Sequence, residues 1–295
     1  MLASKVMRKI SDYGTLVMFT HSIFSLSFAV ISMLLASNGR PSGWKVFWIL
    51  AAFMGARTGA NAINRVIDAE IDRANPRTAG RQIPQGQIRK GEGIGLAAVS
   101  FAVMLVSAGM LNLLCLVLSP IALILMVGYS YTKRFTWLCH IVLGVTTAAA
   151  PVGAWLAVTG SLSLTPLIIG AANTSWVAGF DIIYGIQDYE FDKANNLHSI
   201  PERFGVRNAL FISSFFHLIS CICLLILGLI GKRLGIVYFT GLMLIAILFA
   251  IEHSLAGNIR KPGDTGAAMY SFTSYSLNQA ISMVFLVSSM LDIVV

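Results

Sequence analysis

Two eight-residue segments carry the residue types from which a cation and phosphate site is made. Asp68-Ala69-Glu70-Ile71-Asp72-Arg73-Ala74-Asn75 reads D-x-E-apolar-D-basic-A-N, and Asp188-Tyr189-Glu190-Phe191-Asp192-Lys193-Ala194-Asn195 reads the same way 120 positions later. Asn64 extends the first copy to N-x-x-x-D-x-x-x-D, and Asp181 precedes the second by seven residues. On a helix, spacings of four and seven return to one face, so each copy predicts a stripe of oxygen ligands. Two such stripes facing one another would cage a hard divalent cation together with a phosphate ester. Mg2+ suits this donor set, because it takes one or two carboxylates and completes its octahedron with water and phosphate oxygens.

Basic residues gather around the same segments. Arg57 lies within Ala56-Arg57-Thr58-Gly59-Ala60-Asn61-Ala62-Ile63-Asn64, inside an apolar run where a charge is costly unless it faces a polar cavity or an anion. Seven residues separate it from Asn64, so the two share a face. Arg77 and Arg81 follow Arg73 at spacings of four, in a stretch interrupted by Pro76, Gly80, Pro84 and Gly86. Tyr129-Ser130-Tyr131-Thr132-Lys133-Arg134 brings a further basic pair to the same membrane face. Guanidinium and ammonium groups beside a carboxylate–metal site suit an anionic phosphate. The competing reading of each is the ordinary positive excess of cytoplasmic loops. His21 reads as a hydrogen-bonded core residue or a substrate contact, whereas Glu252 and Asp264 read as solvated charges of the last loop.

The elements that must position these residues are long and apolar. The chain has 295 residues, 56% hydrophobic and 12% charged, with mean hydropathy +0.77. A soluble domain carries about twice that charge. Nine spans are predicted, at about 13–36, 46–66, 93–111, 113–131, 136–158, 166–186, 209–230, 234–251 and 268–292, each near the ~20 residues that cross a bilayer as helix. The basic N-terminus resembles the start of a signal peptide, but the run after it reaches Ala36 without a small-residue cleavage site and is kept as the first span. Alternate threading gathers the N-terminus and the 67–92, Lys133-Arg134, 187–208 and 252–267 segments on one side. Only Arg40, Lys45, Lys232 and Arg233 remain on the other. The basic side is therefore cytoplasmic, and both acidic stripes fall there.

Four spans separate the two copies, and an even number leaves corresponding helices pointing the same way. The chain is thus expected to be a single domain over 1–295, an all-α membrane protein of nine transmembrane helices. Two parallel four-helix halves, about 13–131 and 136–251, plus one helix, would share a working site at their interface.

Several chemistries are excluded or unsupported. The four cysteines, Cys115, Cys139, Cys221 and Cys223, lie in apolar runs without a C-x-x-C pair, so neither zinc nor a disulfide framework is indicated. No H-E-x-x-H, P-loop or G-x-G-x-x-G is present, nor the D-G-x-x-A-R of membrane CDP-alcohol transferases. The net charge of +8 is not arranged as a basic patch interleaved with stacking aromatics, so nucleic acid is not an expected partner. A transporter or cation channel is the alternative of a different class, but permeation needs polar residues through the bilayer's depth and here they crowd at one face.

A diphosphate whose other end belongs in hydrocarbon is a polyprenyl diphosphate. Asn64-x-x-x-Asp68-x-x-x-Asp72 and Asp181-x-x-Tyr184-x-x-x-Asp188-x-x-x-Asp192 resemble the paired motifs of the UbiA superfamily of intramembrane aromatic prenyltransferases. Phe180-Asp181-Ile182-Ile183-Tyr184, Gln187-Asp188 and Asn75-Pro76-Arg77-Thr78 look most like the 4-hydroxybenzoate polyprenyltransferases of quinone biosynthesis. The resemblance implies nine helices around a central cavity open laterally to lipid, and Mg2+-dependent transfer of a polyprenyl group to an aromatic acid in the inner or plasma membrane. It assigns Asn64, Asp68, Asp72, Asp188 and Asp192 to Mg2+, and Lys133, Arg77 and Arg134 to phosphate with Tyr129 nearby. It also assigns Arg57 to the acceptor carboxylate, and Asp181 and Tyr184 to positioning the ring or taking its proton. Two positions depart from the family: Arg65 stands where many members carry another Asp, and His198-Ser199 where Lys-Ser is frequent. Dihydroxynaphthoate, homogentisate, a porphyrin or a glycerol phosphate remain alternative acceptors.

Overall fold

The structure is a computed structural model that describes residues 12–16, 22–257 and 265–294, with side chains at 12–16, 25–257 and 274–294. His21, Asp264, and the basic residues Lys5, Arg8, Lys9, Arg260 and Lys261 lie outside the described residues. Among those described there is helix and no strand. Eight helices are long and apolar enough to cross a membrane. The predicted first span is represented by residues 12–16 and by α1, Ser22–Ala36. The outer surface carries large apolar side chains such as Leu113, Phe211, Leu229 and Ile236, as expected of helices bathed in lipid rather than water.

Among the described residues two compact units emerge from the packing, 12–16 and 22–23 with 44–131, and 24–43 with 132–257 and 265–294. The first contains α2 (Gly43–Ile67), α3 (Ala69–Ala74), α4 (Lys90–Leu111) and α5 (Leu113–Thr132). The small residues of α2 let it lie directly against α4: a Cβ built on Gly55 would stand 2.6 Å from the Ser100 carbonyl oxygen. Ala62, Phe101, Met104 and Met126 form the core of this unit, and Ile83 and Ile88 of the following loop are buried with them. The loop is thereby fastened under the end of α2. Asn112 separates α4 from α5, its extended backbone ending one helix while its side-chain oxygen accepts from the Cys115 N–H at 2.9 Å to start the next.

The second unit contains α1, α6 (Cys139–Thr159), α7 (Leu164–Gly185), α8 (Tyr189–Ala194), α9 (Ile200–Ile230), α10 (Ile236–Ala256) and α11 (Thr265–Val294). Its core surrounds Trp176, edge-on to Phe28 at 5.2 Å and to Phe249 at 5.8 Å, with the indole N–H donating to Asn278 Oδ1 at 2.6 Å. Serines tie α9 to α7, Ser213 donating to the Gly179 carbonyl at 2.7 Å and Ser220 to the Ala172 carbonyl at 2.9 Å. Asp292 of α11 caps α10 by accepting from the Gly235 and Tyr238 N–H groups at 2.7 Å.

Two expectations need correction in detail. Glu252 is not a solvated loop charge: it lies in α10, fully buried, accepting from Ser274 Oγ and Asn278 Nδ2 at 2.5 Å. Sequence hydropathy ended that span at 251, but two donors from α11 reach Oε1 and offset its burial, and the helix continues to Ala256. The seventh predicted span begins earlier than 209, because α9 opens at Ile200 with Ser199 as its cap, accepting from the Glu202 N–H at 3.2 Å. The four cysteines are free and partly buried, and Cys139 donates to the His198 carbonyl at 3.5 Å.

A break at Gly205 divides the opening turn of α9 from its membrane-length body. Its φ of 77° and ψ of 160° fall in a region that is essentially restricted to glycine. Gly205→Ala should destabilise the protein by about 1–3 kcal/mol. A melting curve of the detergent-solubilised protein checks this, and an unchanged Tm would show that the backbone is not held in that conformation.

Candidate active site

Both copies of the motif fold the same way, and neither forms the uninterrupted helical stripe that the spacing predicts. The long helix α2 stops at Ile67, Asp68 adopts φ −92° and ψ 6°, and the six-residue α3 follows. In the second copy α7 passes through a single 3-10 turn, Ile186–Asp188, Asp188 adopts φ −93° and ψ 3°, and the six-residue α8 follows. Aspartate is a poor residue for a helix interior because its short side chain competes for the backbone, so a change of helix at this point is where it belongs. The near-identical dihedrals lie in the sparsely used bridge region, where many active-site residues sit. The hydrogen bonds from Asp68 N to Asn64 O and from Asp72 N to Asp68 O keep the three positions of the first motif in helical succession.

In the first unit Asn64 Nδ2 donates to Asp68 Oδ2 at 2.9 Å and to Ser130 Oγ at 3.2 Å. Asp72 is buried, with 4% exposure, and Arg81 Nη1 holds its Oδ1 at 2.6 Å while Oδ2 has no hydrogen-bond partner. The loop is folded onto this residue: Thr78 donates to the Asp72 carbonyl at 3.1 Å, and Asn75 Oδ1 accepts from the Arg77 N–H at 2.9 Å. Tyr129 stands in the combined field of Arg57, Asp68 and Arg65, which brings three of the predicted residues together. Arg65, at the position that departs from the family, is a buried charge. The Arg77 side chain is exposed, as is Glu70, whose partner is Lys90 at 3.1 Å.

In the second unit Asp188 and Asp192 are both buried, Asp192 completely. Lys133 Nζ pairs with Asp192 Oδ1 at 2.7 Å, the Ser199 hydroxyl bears on the same carboxylate, and Oδ2 lacks a partner of good hydrogen-bond geometry. Burial alone would lower the Lys133 pKa, but Asp192 and Asp188 outweigh it and raise the ammonium above its ordinary range. The residue is therefore a fixed cation. The loop after α8 closes onto it, with the Leu197 N–H donating to the Asp192 carbonyl at 2.9 Å and the His198 N–H to the Lys133 carbonyl at 2.8 Å. His198 itself turns its ring toward Glu202, 3.9 Å away. Arg134 and Tyr184 are half-buried, Tyr184 lying 6.0 Å from Phe180 between ring centroids with its carbonyl accepting from Gln187 at 3.0 Å. Asp181 meets a residue that the motifs do not contain, His140, whose Nδ1 lies 2.7 Å from its Oδ2.

Arg81, marked in the sequence by its spacing of four from Arg77 and read there beside phosphate, pairs instead with Asp72. His140 is the partner that the motif reading missed, since nothing local marks it and the chain meets it only through tertiary packing. Among the described residues no three His, Cys, Asp or Glu side chains gather to hold a metal ion. The donor chemistry nevertheless fits Mg2+. A buried carboxylate oxygen without a hydrogen-bond partner is costly, Asp72 and Asp192 each carry one, and Mg2+ needs no more than one or two carboxylates from the protein. Mg2+ with inorganic diphosphate should therefore raise the Tm of the wild-type protein, and Asp72→Asn and Asp192→Asn should each remove that shift. Glu70→Gln should keep it, and loss of the shift in that variant would argue for general charge rather than these oxygens.

With this geometry established, comparison with known proteins is specific. Residues 25–276 match the UbiA prenyltransferase family. The 4-hydroxybenzoate octaprenyltransferase of Marinobacter nauticus is 29% identical over 273 residues, covering 89% of this chain and 90% of that protein. Among solved structures, a UbiA homolog from Aeropyrum pernix K1 superposes with a TM-score of 0.82 at 31% identity, covering 92% of this chain and 98% of that one. A UbiA homolog from Archaeoglobus fulgidus bound to DMAPP and Mg2+ shares the fold, with a TM-score of 0.66 at 21% identity over 92% of this chain and 99% of that one. The chain belongs to the UbiA prenyltransferase family.

Proposed function

We propose that this protein transfers a polyprenyl group from a polyprenyl diphosphate to an aromatic acid, with 4-hydroxybenzoate as the acceptor. The observation that carries the reading is the repeated aspartate at Asp72 and Asp192, each buried, each paired with a cation, and each with an oxygen that lacks a partner of good hydrogen-bond geometry. That donor pattern suits a metal-bound diphosphate, and the relative from Marinobacter nauticus, a 4-hydroxybenzoate octaprenyltransferase, supports the acceptor. In this reading the protein is one domain of nine spans in two parallel halves around a central cavity. It lies in the inner or plasma membrane with the reacting end toward the cytoplasm, the side favoured by its basic loops.

The residues take the following roles. Asn64, Asp68, Asp72, Asp188 and Asp192 hold Mg2+, which when bound supplies Lewis-acid neutralisation of the leaving diphosphate. Lys133, Arg77 and Arg134 bind phosphate oxygens, and Tyr129 stands beside them. Lys133 is suited to this because its charge is fixed by the buried carboxylates at its side. Arg57 pairs with the acceptor's carboxylate. Asp181 and Tyr184 orient the ring, and Asp181 takes its proton. The surrounding apolar helices exclude water from the allylic cation that forms as the C–O bond ionises.

Asp68→Ala and Asp188→Ala should each abolish Mg2+-dependent prenyl transfer while the protein still inserts in membranes. Membranes supplied with labelled polyprenyl diphosphate and a panel of aromatic acceptors provide the assay, and activity retained by either variant would refute the shared site. Arg57→Ala should raise the acceptor KM with little change in that of the diphosphate. A panel in which dihydroxynaphthoate, homogentisate or a porphyrin outperforms 4-hydroxybenzoate would reassign the acceptor.

A further inference from the structure

We propose that His140 is a positioning residue for the aromatic acceptor, acting through Asp181 to fix the carboxylate that takes the acceptor's proton. The proposal rests on the prenyl-transfer reading above. His140 lies in the first turn of α6, 4% exposed, and its Nδ1 is 2.7 Å from Asp181 Oδ2 on α7. The Asp181 side chain retains 28% of its exposure, so the pair joins a buried anchor to a more open acid. Among the described residues Asp181 Oδ1 makes no hydrogen bond. The acid is thus held at one oxygen and available at the other, which is the arrangement of Asp72 with a histidine in place of the arginine.

Two features argue that this contact is more than a tie between helices. α6 and α7 are already joined without it: a Cβ on Gly144 would run into the Thr174 carbonyl, and Asn173 Nδ2 donates to Thr147 Oγ1 at 2.8 Å. The ring is also accommodated at some expense. Its buried Nε2 has no hydrogen-bond partner, and it packs closely on residue 185, where a Cβ in place of the glycine hydrogen would stand 3.0 Å from the ring's Cε1. A fixed ring nitrogen sets the rotamer of Asp181 and so the direction of its free oxygen. Orientation of this kind governs proton transfer steeply.

The step is as follows. The acceptor's phenolic proton passes to Asp181 Oδ1. The ring carbon ortho to that oxygen forms the new C–C bond to the allylic carbon, whose C–O bond breaks with its electron pair leaving on diphosphate. The ring C–H proton at the new bond is then lost to the released diphosphate, and Asp181 returns its proton to the phenolic oxygen. His140 gains and loses nothing in this sequence.

The test is a double-mutant cycle on the full-length protein in membranes, with polyprenyl diphosphate and 4-hydroxybenzoate as probes. His140→Ala should lower acceptor kcat/KM about 10²-fold, the usual scale for misplacing a catalytic group, and leave the diphosphate KM within about twofold. In an Asp181→Ala background the same substitution should cause no further loss, because the two act as one unit. His140→Asn, whose side-chain amide nitrogen occupies the place of Nδ1, should restore most of the activity, and His140→Gln should not. Additive losses, a diphosphate KM that moves with the acceptor's, or equal activity of the Asn and Gln variants would overturn the proposal. If His140→Ala fails to insert, the Asn and Gln variants decide by the same contrast. A wild-type protein that prenylates no aromatic acid would overturn both this proposal and the reading beneath it, whereas an active wild type with an indifferent His140 would overturn this one alone.

Discussion

The proposed chemistry rests on carboxylates that are buried and incompletely satisfied inside an apolar molecule. A buried ionised carboxylate is tolerated only when charge or hydrogen bonds compensate it. Arg81 and Lys133 supply that compensation to one oxygen of Asp72 and of Asp192, and stop short of the other. Full satisfaction would make these residues inert struts, and none at all would drive them to pick up protons. The intermediate condition leaves a localised electron pair facing whatever cation arrives. The surrounding architecture serves this condition, since the loops that follow each short helix fold back onto Asp72 through Thr78 and onto Asp192 through Leu197.

The two copies reach this condition by different routes. In the first, the compensating cation comes from the loop that follows the motif in sequence, nine residues after Asp72. In the second it comes from the turn between α5 and α6, well before the motif, and the backbone of His198 clasps the carbonyl of the same Lys133. The sequence repeat is therefore matched in backbone geometry, with Asp68 and Asp188 in nearly the same conformation, while the partners differ. The His198 departure from the family fits this: its main chain carries the contact, so the identity of the side chain is less constrained.

Much of this was legible in the sequence. Apolar length located the spans, because a bilayer imposes a length on any helix that crosses it, and the Asn112 punctuation between α4 and α5 is a local signal of the kind that hydropathy and capping can find. Acidic spacing found both motifs, since it depends on residues near one another in the chain. What escaped was nonlocal. The change of helix at Asp68 and Asp188 is a backbone choice that side-chain periodicity does not encode. Glu252 looked like a surface charge because its two donors, Ser274 and Asn278, lie in the next helix. His140 is one apolar-flanked histidine among several possibilities until α7 brings Asp181 beside it.

The serines that donate to backbone carbonyls have a consequence for that same helix. Ser213 meets Gly179 and Ser220 meets Ala172, so partners spaced seven apart on α9 address carbonyls spaced seven apart on α7, in opposite directions along the chain. Each interhelical bond of this type is individually modest in a membrane. Two of them in matching period nonetheless act as a vernier: sliding one helix by a single turn would unseat both at once. The depth at which Asp181 sits is thereby indexed to the neighbouring helix, rather than left to drift with the thickness of the lipid around it.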